Sequence, residues 1–203
     1  MRSRDLCALE RRYKALRRQF LPRRFSKTGS YTQEQYYNFA AFRLLMHSEL
    51  EDFFERLALS TLTMIKTKID NDIPCRGTAS LLVFYRTDQK GSAPSTIGEI
   101  QETPFSLRAL RSSHFEATQR IVSNKGIKTH NILAMFIPIG VRESDIDSDL
   151  LIDLNTLGTR RGDVAHKSIH YATSLPDPAD DKALVERIIG SLSEFEKLLK
   201  LCS

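Results

Sequence analysis

Cysteine is scarce in this chain. Only Cys7, Cys75 and Cys202 occur in 203 residues, far apart and with no CxxC pair. That spacing argues against a zinc ribbon, and the odd count argues against a disulfide framework; a reducing, cytoplasmic setting is the expectation. Long hydrophobic runs are missing too. The longest largely apolar stretches, Ala79 to Tyr85 and Ile132 to Ile139, are far shorter than the about 20 residues that a membrane span needs. No apolar stretch follows Met1, so neither a secretory leader nor a membrane partner is expected. Internal repeats and low-complexity tracts are absent. What remains, 41% hydrophobic and 27% charged residues, is the composition of a folded chain with one domain, or one domain and an appendage.

Acidic residues are nearly absent from the N-terminus. Residues 1–28 hold ten Lys or Arg against Asp5 and Glu10, a net charge of +8, whereas the other 175 residues carry 20 basic and 23 acidic groups, a net −3. The basic character of the chain therefore belongs to this segment. Its Leu6, Leu9, Tyr13, Leu16 and Phe20 recur at helical spacing and mark one face. One reading is a basic helix that docks through this stripe and turns Arg11, Arg12, Arg17 and Arg18 toward RNA phosphates. The others are a solvated helix face and an Arg-rich mitochondrial presequence. The expected organisation is an arm over residues 1–30 and a helical bundle over 31–203.

The rest of the chain reads as helices. Thr32-Gln-Glu-Gln35 is a capping-box pattern before a periodic segment from about Gln33 to about Asp70, which Asp70-Asn-Asp-Ile-Pro74 ends. Ala79 to Arg86 is a short strand or a buried helix. Gly91, Pro94, Gly98 and Pro104 predict a loop or hairpin, so residues 75–105 are expected to form an irregular insertion. Leu107, Leu110, Phe115, Thr118 and Val122 predict a helix that Asn124-Lys-Gly126 stops. Ile132 to Ile137 is a short buried segment. Ser144 or Asp145 is the expected cap of a helix carrying Ile146, Leu150, Leu154 and Leu157. Asp177-Pro178 opens the last helix, with Leu184, Val185, Ile188, Ile189, Leu192, Phe195, Leu198 and Leu199 as its apolar set. The predicted fold class is an all-α antiparallel bundle, with Leu44, Phe54, Leu57, Leu154, Ile188, Leu192 and Phe195 buried.

On the long helix, Tyr36, Ala40, Leu50, Phe54, Leu57 and Ile65 define an apolar face, and Arg43, His47 and Glu51 fall within it at four-residue spacing. Buried charges need partners. The row is either a satisfied Arg–His–Glu network that sets helix register or the lining of a polar cleft. In the cleft reading, contact with Glu51 raises the pKa of His47 and suits it to proton transfer.

The sharpest local pattern is Leu154-Asn-Thr-Leu-Gly-Thr-Arg160-Arg161-Gly162-Asp163-Val-Ala-His166-Lys-Ser168. Two glycines flank two arginines, and each costs a helix roughly 1 kcal/mol relative to Ala, so a kink or junction is expected. Arg161 and His166 are about 140° apart on an ideal helix and share no face unless the helix is irregular or a dimer assembles the site. Asp163, His166 and His170 have spacing that a metal could use, against a solvated or RNA-facing histidine pair; the reading here is that no metal is bound. His114 and His130 stand alone, and Asp153 and Asn155 on the motif helix are either solvated or enter the cleft.

Arg161-x4-His166 after a leucine-rich helix resembles the motif of the HEPN superfamily. Ala41-Phe-Arg43-Leu-Leu-Met-His47-Ser-Glu-Leu-Glu51-Asp-Phe-Phe54 is similar to the first core helix of the branch related to RiboL-PSP HEPN domains. Lys125-Gly126-Ile-Lys128, Asn131-Ile132-Leu133 and Pro138-Ile-Gly140 are similar to the connector before its motif helix. The resemblance spans roughly residues 33–200. It implies an all-helical bundle, a homodimer, and cofactor-free, metal-independent endoribonuclease action at a cleft between subunits. Arg161 and His166 would be catalytic. Arg160, which gives an Arg-x5-His frame, is the alternative arginine, because many active members carry Asn, Asp or His where Gly162 stands. Arg43, His47, Glu51 and Asp163 would support the cleft, and Lys167 would join the RNA contacts. His166 would take the proton from a ribose 2′-hydroxyl, and the same histidine of a second copy, or His47, would protonate the leaving oxygen. A toxin or defence role would imply an antitoxin partner such as a nucleotidyltransferase. The other class is a non-catalytic HEPN module that binds RNA or a protein.

Overall fold

The computed structural model describes residues 3–86, 105–166 and 176–202, leaving out the side chains of residues 86, 105, 106 and 164–166. All the regular structure in this part is helical: α1 (Arg4–Phe20), α2 (Gln33–Asp70), α3 (Arg76–Arg86), α4 (Phe105–Val122), α5 (Thr129–Phe136), a 3-10 turn (Glu143–Asp145), α6 (Ser148–His166) and α7 (Pro178–Leu199). Among the described residues no helix is long and apolar enough to cross a membrane.

Local chemistry sets the boundaries. Ser3 Oγ accepts from the Leu6 amide at 3.0 Å and opens α1. Thr32 and Gln35 form a reciprocal capping box: the Thr32 amide donates to Gln35 Oε1 at 2.9 Å and the Gln35 amide donates to Thr32 Oγ1 at 3.3 Å. Asp177 Oδ1 accepts from the Ala179 amide at 2.7 Å, with Pro178 at the first helical position of α7. The cap of α6 is Asp147, whose Oδ1 accepts from the Asp149 amide at 2.9 Å. Ser144 and Asp145, the expected caps, lie in the 3-10 turn instead, where Asp145 pairs with Arg76 and Arg142.

The chain divides into two compact units, 1–54 with 125–130 and 147–195, and 55–124 with 131–146 and 196–203. Both α2 and α7 contribute to each. In the first unit, α1 docks through its stripe: Leu6, Leu9 and Tyr13 are buried, Tyr13 stacks near Phe42 at 6.5 Å, and its hydroxyl donates to Glu186 Oε1 at 2.6 Å. Burial and the Glu186 carboxylate push the Tyr13 pKa up. Phe54 meets Phe195 edge-on at 5.5 Å, and Leu150, Leu154, Leu157, Ile188 and Leu192 complete the core.

In the second unit, Ala79 to Arg86 is helical, not a strand, and residues 76–86 of the expected irregular insertion form α3. The expected loop or hairpin at 87–104 lies outside the described residues. The Gly77 amide donates to Cys202 O at 2.8 Å and Ser80 Oγ to Ile137 O at 2.8 Å, long-range bonds that no local pattern announces. The inward face of α4 also differs from expectation. Ala109, Ser113, Ala117 and Ile121, each four residues apart, are buried, while Phe115 and Val122 are 62% and 64% exposed. Small side chains on that stripe permit close helix approach, so the larger ones sit outside. Leu44 is likewise 36% exposed, because it stands about 100° from Arg43, off the buried stripe of α2. Leu57 is half-buried.

Candidate functional site

The buried stripe of α2 in the first unit runs through Phe39, Phe42, Arg43, Met46, His47 and Leu50. Arg43 is completely buried, and its guanidinium is shared between two acceptors. Nε binds Asp181 Oδ2, and Nη2 donates to Pro176 O at 2.7 Å. Nη1 finds no acceptor among the described residues. Asp181 is only 1% exposed, and its other oxygen, Oδ1, accepts from Arg160 Nη1 at 2.7 Å. One carboxylate thus joins a guanidinium from α2 to one from α6. Burial lowers the Arg43 pKa and raises that of Asp181, while their contact and Arg160 pull Asp181 back toward the charged form.

Arg161 stands beside this cluster. It is exposed and, among the described residues, makes no hydrogen bond or ion pair, but its charge reaches His47. His47 is 4% exposed and its Nδ1 lies 3.8 Å from Glu51 Oε2, beyond hydrogen-bond range. Burial, and then Arg161, push the His47 pKa down to about 4. The expected upward shift is therefore overturned: desolvation and a cation outweigh a carboxylate that does not touch the ring. His47 is therefore neutral at pH 7.

The expected break in the motif helix is absent. Residues 148–166 form one helix through Gly158 and Gly162. A Cβ at Gly158 would lie 2.8 Å from Lys128 Cγ, so this glycine admits a close neighbour rather than a bend. Nothing lies within 4 Å of a Cβ at Gly162. His166 ends the helix, but its side chain, together with all of Lys167, Ser168 and His170, is outside the described residues. So, therefore, is the Asp163–His166–His170 grouping. Asp163 is exposed. Asp153 does not enter the site; it takes a bidentate contact from Arg187 at 2.8 Å for each bond. His114 belongs to the second unit, where a ring nitrogen meets Leu62 O at 3.2 Å.

On α1, Arg4, Arg11, Lys14, Arg17 and Arg18 are exposed. Arg12, expected among the phosphate contacts, is held by Glu49 at 3.1 Å and Asp52 at 3.8 Å. These two acids lie on the outer side of α2, where spacing alone did not connect them to α1.

Two residues here were not among the expected site residues. Asp181 carries no motif of its own, yet it precedes Leu184, Val185 and Ile188 by three, four and seven residues and so lies on their stripe. The test that singled out Arg43 would have found it. Lys128 carried no local signal, because only its contact with Gly158 brings it to α6. No family model, curated protein or solved structure matches this chain.

Proposed function

We propose that this protein is a metal-independent endoribonuclease whose site is completed in a homodimer. The observation that carries the reading is the convergence of Arg43 and Arg160 on a single buried carboxylate, Asp181, with Arg161 beside them near a neutral His47. Positive charge is in excess there, as a phosphodiester site requires, and Arg161 has no competing acid among the described residues. This favours Arg161 as the phosphate ligand and Arg160 as the residue anchored behind it. A planar guanidinium suits the charge that builds on two phosphoryl oxygens.

In this mechanism His166 accepts the proton of a ribose 2′-hydroxyl. The 2′-oxygen bonds to the adjacent phosphorus, and the bond from phosphorus to the 5′-oxygen breaks. That oxygen takes up a proton, leaving a 2′,3′-cyclic phosphate and a 5′-hydroxyl. RNA supplies its own nucleophile. With His47 neutral, the donated proton comes from the His166 of a second copy. The unbroken helix supports this division of labour, since positions 161 and 166 are about 140° apart around it. The protein acts as a toxin or defence effector in this reading, with an antitoxin as its partner.

Incubating the purified protein with end-labelled RNA in EDTA tests the proposal. Cyclic-phosphate products are expected. RNA bound but left intact would make the chain a binding module; RNA neither bound nor cut would remove the reading altogether.

A further inference from the structure

The connector that precedes α5 carries a cation that the reaction described above does not use. Lys128 lies flat on α6: its Cγ, Cδ and Cε would stand 2.8, 3.7 and 3.5 Å from a Cβ at Gly158. The neighbouring Thr129 Oγ1 donates to Leu151 O at 3.3 Å and pins this segment to the same helix. Leu154, Gly158 and Arg161 follow at i, i+4 and i+7, so all three share one stripe of α6. The Lys128 stem thus crosses α6 about 4.5 Å along the axis before Arg161. Among the described residues Lys128 makes no hydrogen bond or ion pair, and neither does Arg161. Neither cation has a carboxylate partner among the described residues, and a larger residue at 158 would displace the Lys128 stem.

We propose that Lys128 and Arg161 form a two-phosphate subsite, in which Lys128 holds the RNA phosphate next to the one that Arg161 holds. This rests on the ribonuclease reading and adds the requirement that the substrate extend past the scissile phosphate. A lysine suits the outer position, since a mobile point charge can follow a flexible backbone, while the fork of Arg161 fixes the reacting group. Gly158 is the residue that makes the pairing fit.

The experiment is fluorescence anisotropy across a salt series, using a labelled single-stranded 2′-O-methyl RNA oligonucleotide. It keeps every phosphate but has no free 2′-hydroxyl, so binding is read without cleavage. Lys128→Gln should weaken binding alike for different sequences and flatten the salt slope by about 0.7, the share of one single-strand phosphate. Lys128→Arg should keep the slope. Gly158→Ala retains the charge but displaces the Lys128 stem, and should flatten the slope to the same degree. Lys200→Gln, at an exposed position on the second unit, is the control and should behave as the wild type. Thermal melts report whether each variant is folded. Wild-type affinity and slope in Lys128→Gln would overturn this subsite while leaving the ribonuclease reading intact. Failure of the wild-type protein to bind the RNA would overturn both.

Discussion

Arg43 and Asp181, 138 residues apart in the chain, form an ion pair in which neither partner reaches solvent: their side chains are 0% and 1% exposed. Such a pair is not itself a strong source of stability, because each ion gave up its hydration to enter the core. Removing one partner, however, leaves an uncompensated buried charge at a cost of about 3–5 kcal/mol. Asp181→Leu should therefore destabilise the fold by about that amount, since Arg43 would keep only Pro176 O. Arg43→Met should cost less, because Arg160 still neutralises Asp181. The double variant should be more stable than Asp181→Leu alone. Urea unfolding of all four proteins measures the cycle, and strictly additive losses would show that the two residues do not act as a pair.

His47 makes stability depend on pH. Its folded-state pKa of about 4 lies below the ordinary value of 6.5, so between those limits the unfolded chain binds more protons than the native one. Stability is then complete above pH 6.5 and falls as the pH drops toward 4, by about 3 kcal/mol over the whole window. Burial also lowers the His114 pKa, and this adds to the same trend from the second unit. His47→Gln should flatten the curve in that window whatever it does to the baseline, and His114→Gln should flatten it further. An unchanged profile in His47→Gln would show that Arg161 and burial do not act on this ring as described.

Much of the helical frame was readable because it rests on neighbours in sequence. The Thr32–Gln35 box and Asp177-Pro178 need only a few residues to be recognised, and both cap as expected. The cap of α6 was not readable in the same way. Asp145 and Asp147 are equally good acceptors by type, and the choice between them is made by the 3-10 turn and by Arg76 from α3. The row of Arg43 and His47 was legible as polar residues on a buried stripe. Its chemistry was not, because the partner of Arg43 lies on α7, and His47 is depressed first by its burial and then by Arg161 on α6. Helical spacing reports what shares a face; it does not report what the face meets.

The basic helix α1 calls for a test other than removal. Leu6, Leu9 and Tyr13 are buried in the first unit, and Tyr13 reaches Glu186 on α7. Deleting residues 1–28 would uncover that core and confuse unfolding with weaker RNA binding. Replacing Arg11, Arg17 and Arg18 together by Gln leaves the buried stripe intact. If α1 carries RNA, the salt slope for single-stranded RNA should fall by about 2, since each phosphate no longer neutralised takes away roughly 0.7. Arg12→Gln should change the slope little, since Glu49 and Asp52 already hold that guanidinium. An unchanged slope in the triple variant would mean that α1 is a solvated face and that RNA binds elsewhere.

The two arginines of the motif differ in what surrounds them, and that difference makes the catalytic assignment testable. Arg160 donates to Asp181 at 2.7 Å and is partly buried, whereas Arg161 is exposed and has no carboxylate partner among the described residues. Loss of general acid–base help costs roughly 10²- to 10⁴-fold in rate, so His166→Ala should remove measurable cleavage while the RNA still binds. Arg161→Ala should do the same. Arg161→Lys should not restore activity, because an ammonium cannot offer the planar fork to two oxygens. Arg160→Ala should act differently: it takes one partner from buried Asp181, so its main effect should be a lower melting temperature, with residual cleavage below that temperature. The measurements are initial cleavage rates in EDTA alongside thermal melts and oligonucleotide binding. Full cleavage by His166→Ala, or a stable but inactive Arg160→Ala beside an active Arg161→Ala, would reverse the roles assigned to these residues.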